Sequence, residues 1–122
     1  MNHWPSVVVE VDFSDSPSMR ISDAQFWLSG SNSNKVKIVI TTRIGRISPE
    51  IVLEKWELMD DRAERQQVVA VSKGQHNRVY KGEPLIIDFD KLFLRLMDDP
   101  REKDIPLCKA ILEEFASEIW EE

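Results

Sequence analysis

The chain opens on an apolar run that acids interrupt. Val7-Val8-Val9 leads into Glu10, Val11 and Asp12, and a polar turn from Ser14 to Ser18 follows. A short β-branched run bounded by turn chemistry predicts a buried strand over 6–13. Asp15 or Ser16 can cap a helix, with Pro17 in its first turn. That helix, over 17–29, places Ile21, Ala24, Trp27 and Leu28 on one side, and Gly30 to Asn34 ends it. Val36, Ile38, Ile40, Thr42 and Ile44 alternate with Lys35, Lys37, Val39, Thr41 and Arg43, which predicts a strand over 35–44. Strand, helix and strand within about 40 residues make a βαβ unit with parallel strands.

The pattern then turns antiparallel. Gly45 to Pro49 reads as a turn and 50–58 as a strand. Asp60 to Gln66 reads as a charged loop and 67–73 as a strand. A short extended piece at 78–80 and a short strand over 84–87 come next. Asp88 is expected to cap a short helix with Phe89, Leu92, Phe93 and Leu96 on one face, broken at Asp98-Asp99-Pro100. A terminal helix is expected from near Asp104, with Pro106 in its first turn and a stripe of Cys108, Ile111, Leu112, Phe115 and Ile119. The expected class is α/β in its α+β form. It has a mixed sheet with a parallel βαβ start, antiparallel strands after it and a C-terminal helix packed on the sheet. One domain, 1–122, holds it all.

Composition supports a packed core. The chain has 122 residues, 42% hydrophobic and 31% charged, so it can fold without disulfides or metal. Four tryptophans suggest a well-filled core or a partner surface. No stretch has the roughly 18 apolar residues of a membrane span. No signal peptide is visible, and the single cysteine, Cys108, fits a reducing interior, cytoplasmic or nuclear. A net charge of −6 argues against a protein held on nucleic acid by bulk electrostatics. A local basic strip of Lys35, Lys37, Arg43 and Arg46 keeps weak nucleic-acid contact in play, although a solvated sheet face is the better account of it.

Few residues carry chemistry. One cysteine and two histidines, His3 and His76, make no zinc spacing, and the four glycines do not cluster. Glu54, Lys55 and Glu57 read as an exposed face with cross-strand pairing. Arg95 reads as a cap on helix carbonyls. That leaves Glu10 and Asp12. Period-2 geometry puts both on one sheet face, where two carboxylates can chelate a hard cation such as Mg2+. Such an ion activates water for phosphodiester cleavage. Asp15 lies just beyond, and Arg20 is placed to neutralise the acids or hold a phosphate. In the plainer reading Glu10 pairs with Arg20 or Lys37, and spacing alone favours it.

The same residues resemble a family. Pro5 to Val11, the serine-rich turn, Met19-Arg20, Asp23-Ala24, Trp27-Leu28 and Val36 to Ile40 look like a divergent fungal branch of the restriction-endonuclease-like, PD-(D/E)XK, superfamily. Ile51 to Trp56, Pro84 to Ile86, Leu92 to Arg95 and Ile119-Trp120 extend the likeness over nearly the whole chain. The resemblance implies a sheet in which one acid comes from the second strand and an acid-x-lysine pair from the third. Glu10 matches the third-strand acid, Asp12 stands where the lysine is expected, and Arg20 matches a base moved onto the following helix. Only nine residues precede Glu10, so the first acid is expected to be missing or supplied by another chain. Three functions follow as expectations. One is a catalytically degenerate nuclease-like domain acting in recognition or as a two-fold homodimer. The second is a magnesium-dependent nuclease completed across that dimer through Glu10, Asp12 and Arg20. The third is an interaction module using the acidic C-terminal helix.

Overall fold

The computed structural model describes residues 5–13, 20–30, 36–45, 50–73, 78–82 and 84–120. Its elements, in chain order, are β1 (Val7–Asp12), α1 (Arg20–Gly30), β2 (Ile38–Gly45), β3 (Glu50–Met59) and β4 (Arg62–Lys73). These are followed by β5 (Arg78–Lys81), β6 (Leu85–Ile87), α2 (Phe89–Phe93), β7 (Ile105–Leu107) and α3 (Lys109–Trp120). Strands β1 to β5 form one sheet in sequence order, and β6 and β7 form a separate antiparallel pair. The expected α+β architecture is present. β1 and β2 run parallel, with Val7 opposite Ile38 and Asp12 opposite Arg43, and the later neighbours are antiparallel. No described helix is long and apolar enough to cross a membrane.

Period-2 alternation divides the core between the two sheet faces. On one face Val8, Val39, Trp56 and Ala63 meet Ala24 and Leu28 of α1. On the other, Ile38, Ile40, Ile51, Leu53, Val69 and Val71 meet Leu85 and the α3 residues Leu112 and Ala116. β2 is covered on both faces, which explains why its residues are nearly all buried while β1, at the rim, alternates.

Four sequence expectations need correction. First, Asp60 to Gln66 is not a loop. Asp60 and Asp61, with φ of 51° and 66°, form a two-residue turn, and β4 starts at Arg62. Positive φ at both turn residues matches the twist of a tight hairpin, and aspartate tolerates it. Gln25 of α1 clips this end of the hairpin: its side-chain oxygen accepts from Ala63 N at 2.7 Å and its Nε2 donates to Asp61 O at 3.1 Å.

Second, the segment at Asp104 does not start the last helix. Residues 105–107 pair with β6, placing Pro106 opposite Ile86 in an edge strand, where a missing N–H is tolerated. Asp104 Oδ1 instead accepts from Phe89 N at 2.8 Å, at the start of α2. Third, α2 stops at Phe93, with Leu94 left-handed at φ 58°. Of its expected stripe only Phe89 is buried, and Leu96 is 79% exposed. Fourth, of the expected stripe of α3 Leu112 is buried, together with Ala116, while Ile111 and Phe115 are exposed and the side chain of Ile119 lies outside the described residues. Cys108 lies half-buried just before that helix.

Candidate functional site

Glu10 lies in β1 as expected and is half-buried. Its compensation comes from α1. The indole of Trp27 donates to Glu10 Oε1 at 2.6 Å, a charge-assisted bond that fastens the crossover helix to the strand. A carboxylate withdrawn from water needs such a donor. Among the described residues Lys37 is not that partner, since it is exposed and forms no ion pair with Glu10. The side chain of Arg20 and the whole of Asp15 lie outside the described residues, as do Lys35, Arg46 and both histidines.

Glu10 and Asp12 share one wall of a cleft of about 310 Å³ at the carboxyl end of β1. Such crevices beyond strand ends are where open α/β sheets commonly place ligands. Asp23, in the first turn of α1, and Thr41, Thr42 and Arg43 of β2 complete it. Arg43 stands beside Asp12 in register, yet its one ion pair among the described residues is with Glu50 on β3, at 3.9 Å. Its Nε is buried and has no hydrogen-bond partner among the described residues. The cleft therefore combines three carboxylates with a guanidinium whose bonding capacity is only partly used.

A second layer stands behind the cleft. Thr41, opposite Glu10 on β1, is also opposite Glu54 on β3, so Glu10, Thr41 and Glu54 form a row across three strands on the α1 face. Trp56 Nε1 donates to Thr41 Oγ1 at 2.9 Å, and the Thr41 hydroxyl donates to Glu54 Oε1 at 3.4 Å. Arg65 pairs with Glu54 Oε2 at 2.8 Å. Glu54 is 1% exposed, which corrects its expected place on a solvated face.

Lys55 is corrected in the same way. It is 5% exposed and points to the opposite face, where its ammonium pairs with Asp88 at 2.7 Å and Glu57 at 3.1 Å. Lys91 closes the ring, at 2.5 Å from Glu57 and 3.3 Å from Asp88. Burial alone would raise the Asp88 pKa. Hydrogen bonding and charge from Lys55, with Lys91, outweigh that and hold it below 3.8. Burial alone would lower Lys91, but Glu57 and Asp88 hold it above 10.5. This ring docks α2 on the sheet. The register with β4 shifts between Lys55 and Trp56, which lie opposite Gln67 and Arg65, so Gln66 of β4 is the extra residue.

Arg95 does not cap α2 through its own carbonyls. It pairs with Glu102 and Asp98 and lies over the Phe89 ring, 4.9 Å from its centre. Hydrogen bonds from Arg95 and from the Asp98 backbone bring the Glu102 pKa down to about 2.

The structure thus brings Glu10 and Asp12 together on one face, as the strand period predicts. Among the described residues no three acidic, histidine or cysteine side chains are close enough to hold a metal ion, and one oxygen of Glu10 is already engaged by Trp27. These residues do not fit a magnesium centre. The sequence reading missed Trp27 as the partner of Glu10, because its helical spacing marks it only as apolar. It missed Asp23, although an acid in a first helical turn after a strand end is a visible signal. It also missed Arg43 as a neighbour of Asp12, which the register of two parallel strands supplies. Compared with protein-family models, curated proteins and solved structures, the chain matches none.

Proposed function

We propose that this chain is a recognition domain, similar to a nuclease in plan but catalytically degenerate, and that it binds through the open edge of β1. The observation that carries the reading is the state of that edge. β1 stands at the end of the sheet order and pairs only with β2 among the described residues, while Val9 and Val11 are 59% and 49% exposed. An edge strand with apolar side chains in water is a template for another strand unless charge or Pro blocks it. The use of Glu10 by Trp27 and the presence of Asp12 where the resemblance expects a lysine support binding over catalysis. The burial of Leu112 and Ala116 favours α3 as part of the core over α3 as a docking arm.

The alternative remains a metal-dependent nuclease completed across a two-fold dimer. Titration with magnesium and manganese by calorimetry, alongside cleavage assays on DNA and RNA, separates the two. No binding heat and no cleavage is the expected outcome. A saturable isotherm that Glu10→Ala abolishes would overturn the proposal in favour of the enzyme. The edge itself is tested by Val9→Lys with Val11→Lys. This pair should remove partner capture or self-association while leaving the circular dichroism spectrum unchanged.

A further inference from the structure

We infer that the partner of the β1 edge is an extended peptide segment in which basic and apolar residues alternate. The inference rests on the recognition reading and adds the chemistry of what is recognised. A strand added to an edge places its side chains on the two sheet faces in turn, each beside the residue opposite. Along β1 those faces differ sharply. Val9 and Val11 lie exposed on the face of Ile40 and Thr42. Glu10 and Asp12 lie on the other, lining the cleft to which Asp23 adds a third carboxylate; Arg43 also lines it but is drawn toward Glu50 on β3, so acid outweighs base in the lining. Every second residue of the added strand therefore meets apolar surface. The residues between meet acid, with a cavity beside them that can receive a long cationic side chain. Lys and Arg fit this arrangement because their stems are apolar and only their heads carry charge.

Charge also decides against a second copy as the occupant. A two-fold antiparallel pairing keeps each face on its own side, so only residues of the same face oppose each other. Centred on Glu10, it sets Glu10 against its own copy and Asp12 against Val8. Centred on Val9, it brings the two Glu10 residues to diagonal neighbours, and centred on Val11 it sets Glu10 against Asp12. Like charges in these positions oppose pairing. Each copy also carries a net charge of −6. A phosphate backbone would meet the same acids and is disfavoured at this edge for the same reason.

The test uses the full chain and fluorescently labelled octapeptides read by anisotropy. One alternates Lys and Val, one alternates Ser and Val, one alternates Glu and Val, and one carries the Lys–Val composition in blocks. The Lys–Val alternation should bind best, and Glu10→Gln with Asp12→Asn should weaken it by about tenfold. The side-chain amide that Glu10→Gln introduces can still accept from Trp27, so the fold is preserved; the thermal midpoint checks this. Equal binding of the Ser–Val peptide would overturn the charge inference and leave the edge reading standing. Equal binding of the block peptide would show diffuse attraction and overturn it too. If no alternating peptide binds and Val9→Lys changes nothing, the edge reading falls with it. Sedimentation of the chain alone should report a monomer, and a dimer broken by Val9→Lys would overturn the choice of a foreign strand.

Discussion

On β1, Glu10 interrupts an apolar run yet ends half-buried, where among the described residues the neutral indole of Trp27 on the crossover helix donates to it. Two strands inward, Glu54 and Lys55 sit in a segment that looks amphipathic and solvated, yet they are 1% and 5% exposed. The difference teaches that burial of a charge follows position in the sheet, not the hydrophobicity of its neighbours in sequence. β3 lies between β2 and β4 and is covered on both faces, so consecutive residues point into opposite halves of the core. Each charge there is answered on its own face. Glu54 meets Thr41 and Arg65, and Lys55 meets Glu57 and Asp88. At the rim, where Val9 and Val11 on one face of β1 are exposed, the Trp27 indole answers Glu10 on the other face.

The strongest way to break this comparison is to remove a charge from the centre. Lys55→Ala should cost about 3 kcal/mol, because it leaves Asp88 and Glu57, both half-buried, with only Lys91 among the described residues to answer them. Glu54→Ala should cost a similar amount, since it strands Thr41 and frees Arg65. Urea unfolding with an unchanged slope is the measurement. A loss under about 1 kcal/mol for Lys55→Ala would place the ring among surface ion pairs and erase the contrast with β1.

Acid titration sharpens the same contrast. The Asp88 pKa is depressed in the folded chain, so its contribution is fully present above 3.8 and is lost as pH falls through the lower folded value. Lys91 is raised, so its contribution is fully present below 10.5 and is lost as pH rises through the higher folded value. Asp88→Asn should therefore flatten part of the acid limb of stability against pH, and Lys91→Met part of the alkaline limb. An acid limb unchanged by Asp88→Asn would show that the ring does not couple charge to folding.

The sequence made the architecture legible wherever one period ruled a segment. The βαβ start, the alternation in 35–44 and the antiparallel return all follow from single patterns. The hairpin end at Arg62 to Gln66 was illegible because charge there reads as loop, although a strand at a hairpin tip needs only one buried position, Ala63. Its support comes from Gln25, far away in sequence. Gln67 does the same for β6, accepting from Ile86 N at 2.9 Å and donating to Pro84 O at 3.1 Å. Side-chain amides that stand in for a missing strand leave no periodic signal. The candidate site was half legible for the same reason. Glu10 and Asp12 announce themselves by interrupting valines, whereas Arg43 and Asp23 join them only through register and helix placement.

The smallest expected effect concerns Glu10 itself, and it is the most discriminating. Trp27→Phe keeps the aromatic packing of α1 but removes the N–H that the carboxylate accepts. Glu10 can turn toward the open cleft and regain water, so the loss should be about 1 kcal/mol, the worth of one hydrogen bond and not of a buried charge. Glu10→Gln retains an acceptor for the indole and gives up only the charge, so it should lie within about 0.5 kcal/mol of the parent. A double-mutant cycle of Trp27→Phe with Glu10→Ala, which removes the acceptor altogether, measures their coupling. Coupling as large as that between Lys55 and Asp88 would mean the edge carboxylate is locked in place like the central ones, and therefore withdrawn from any partner strand. Weak coupling leaves Glu10 available to turn toward a cation arriving along β1.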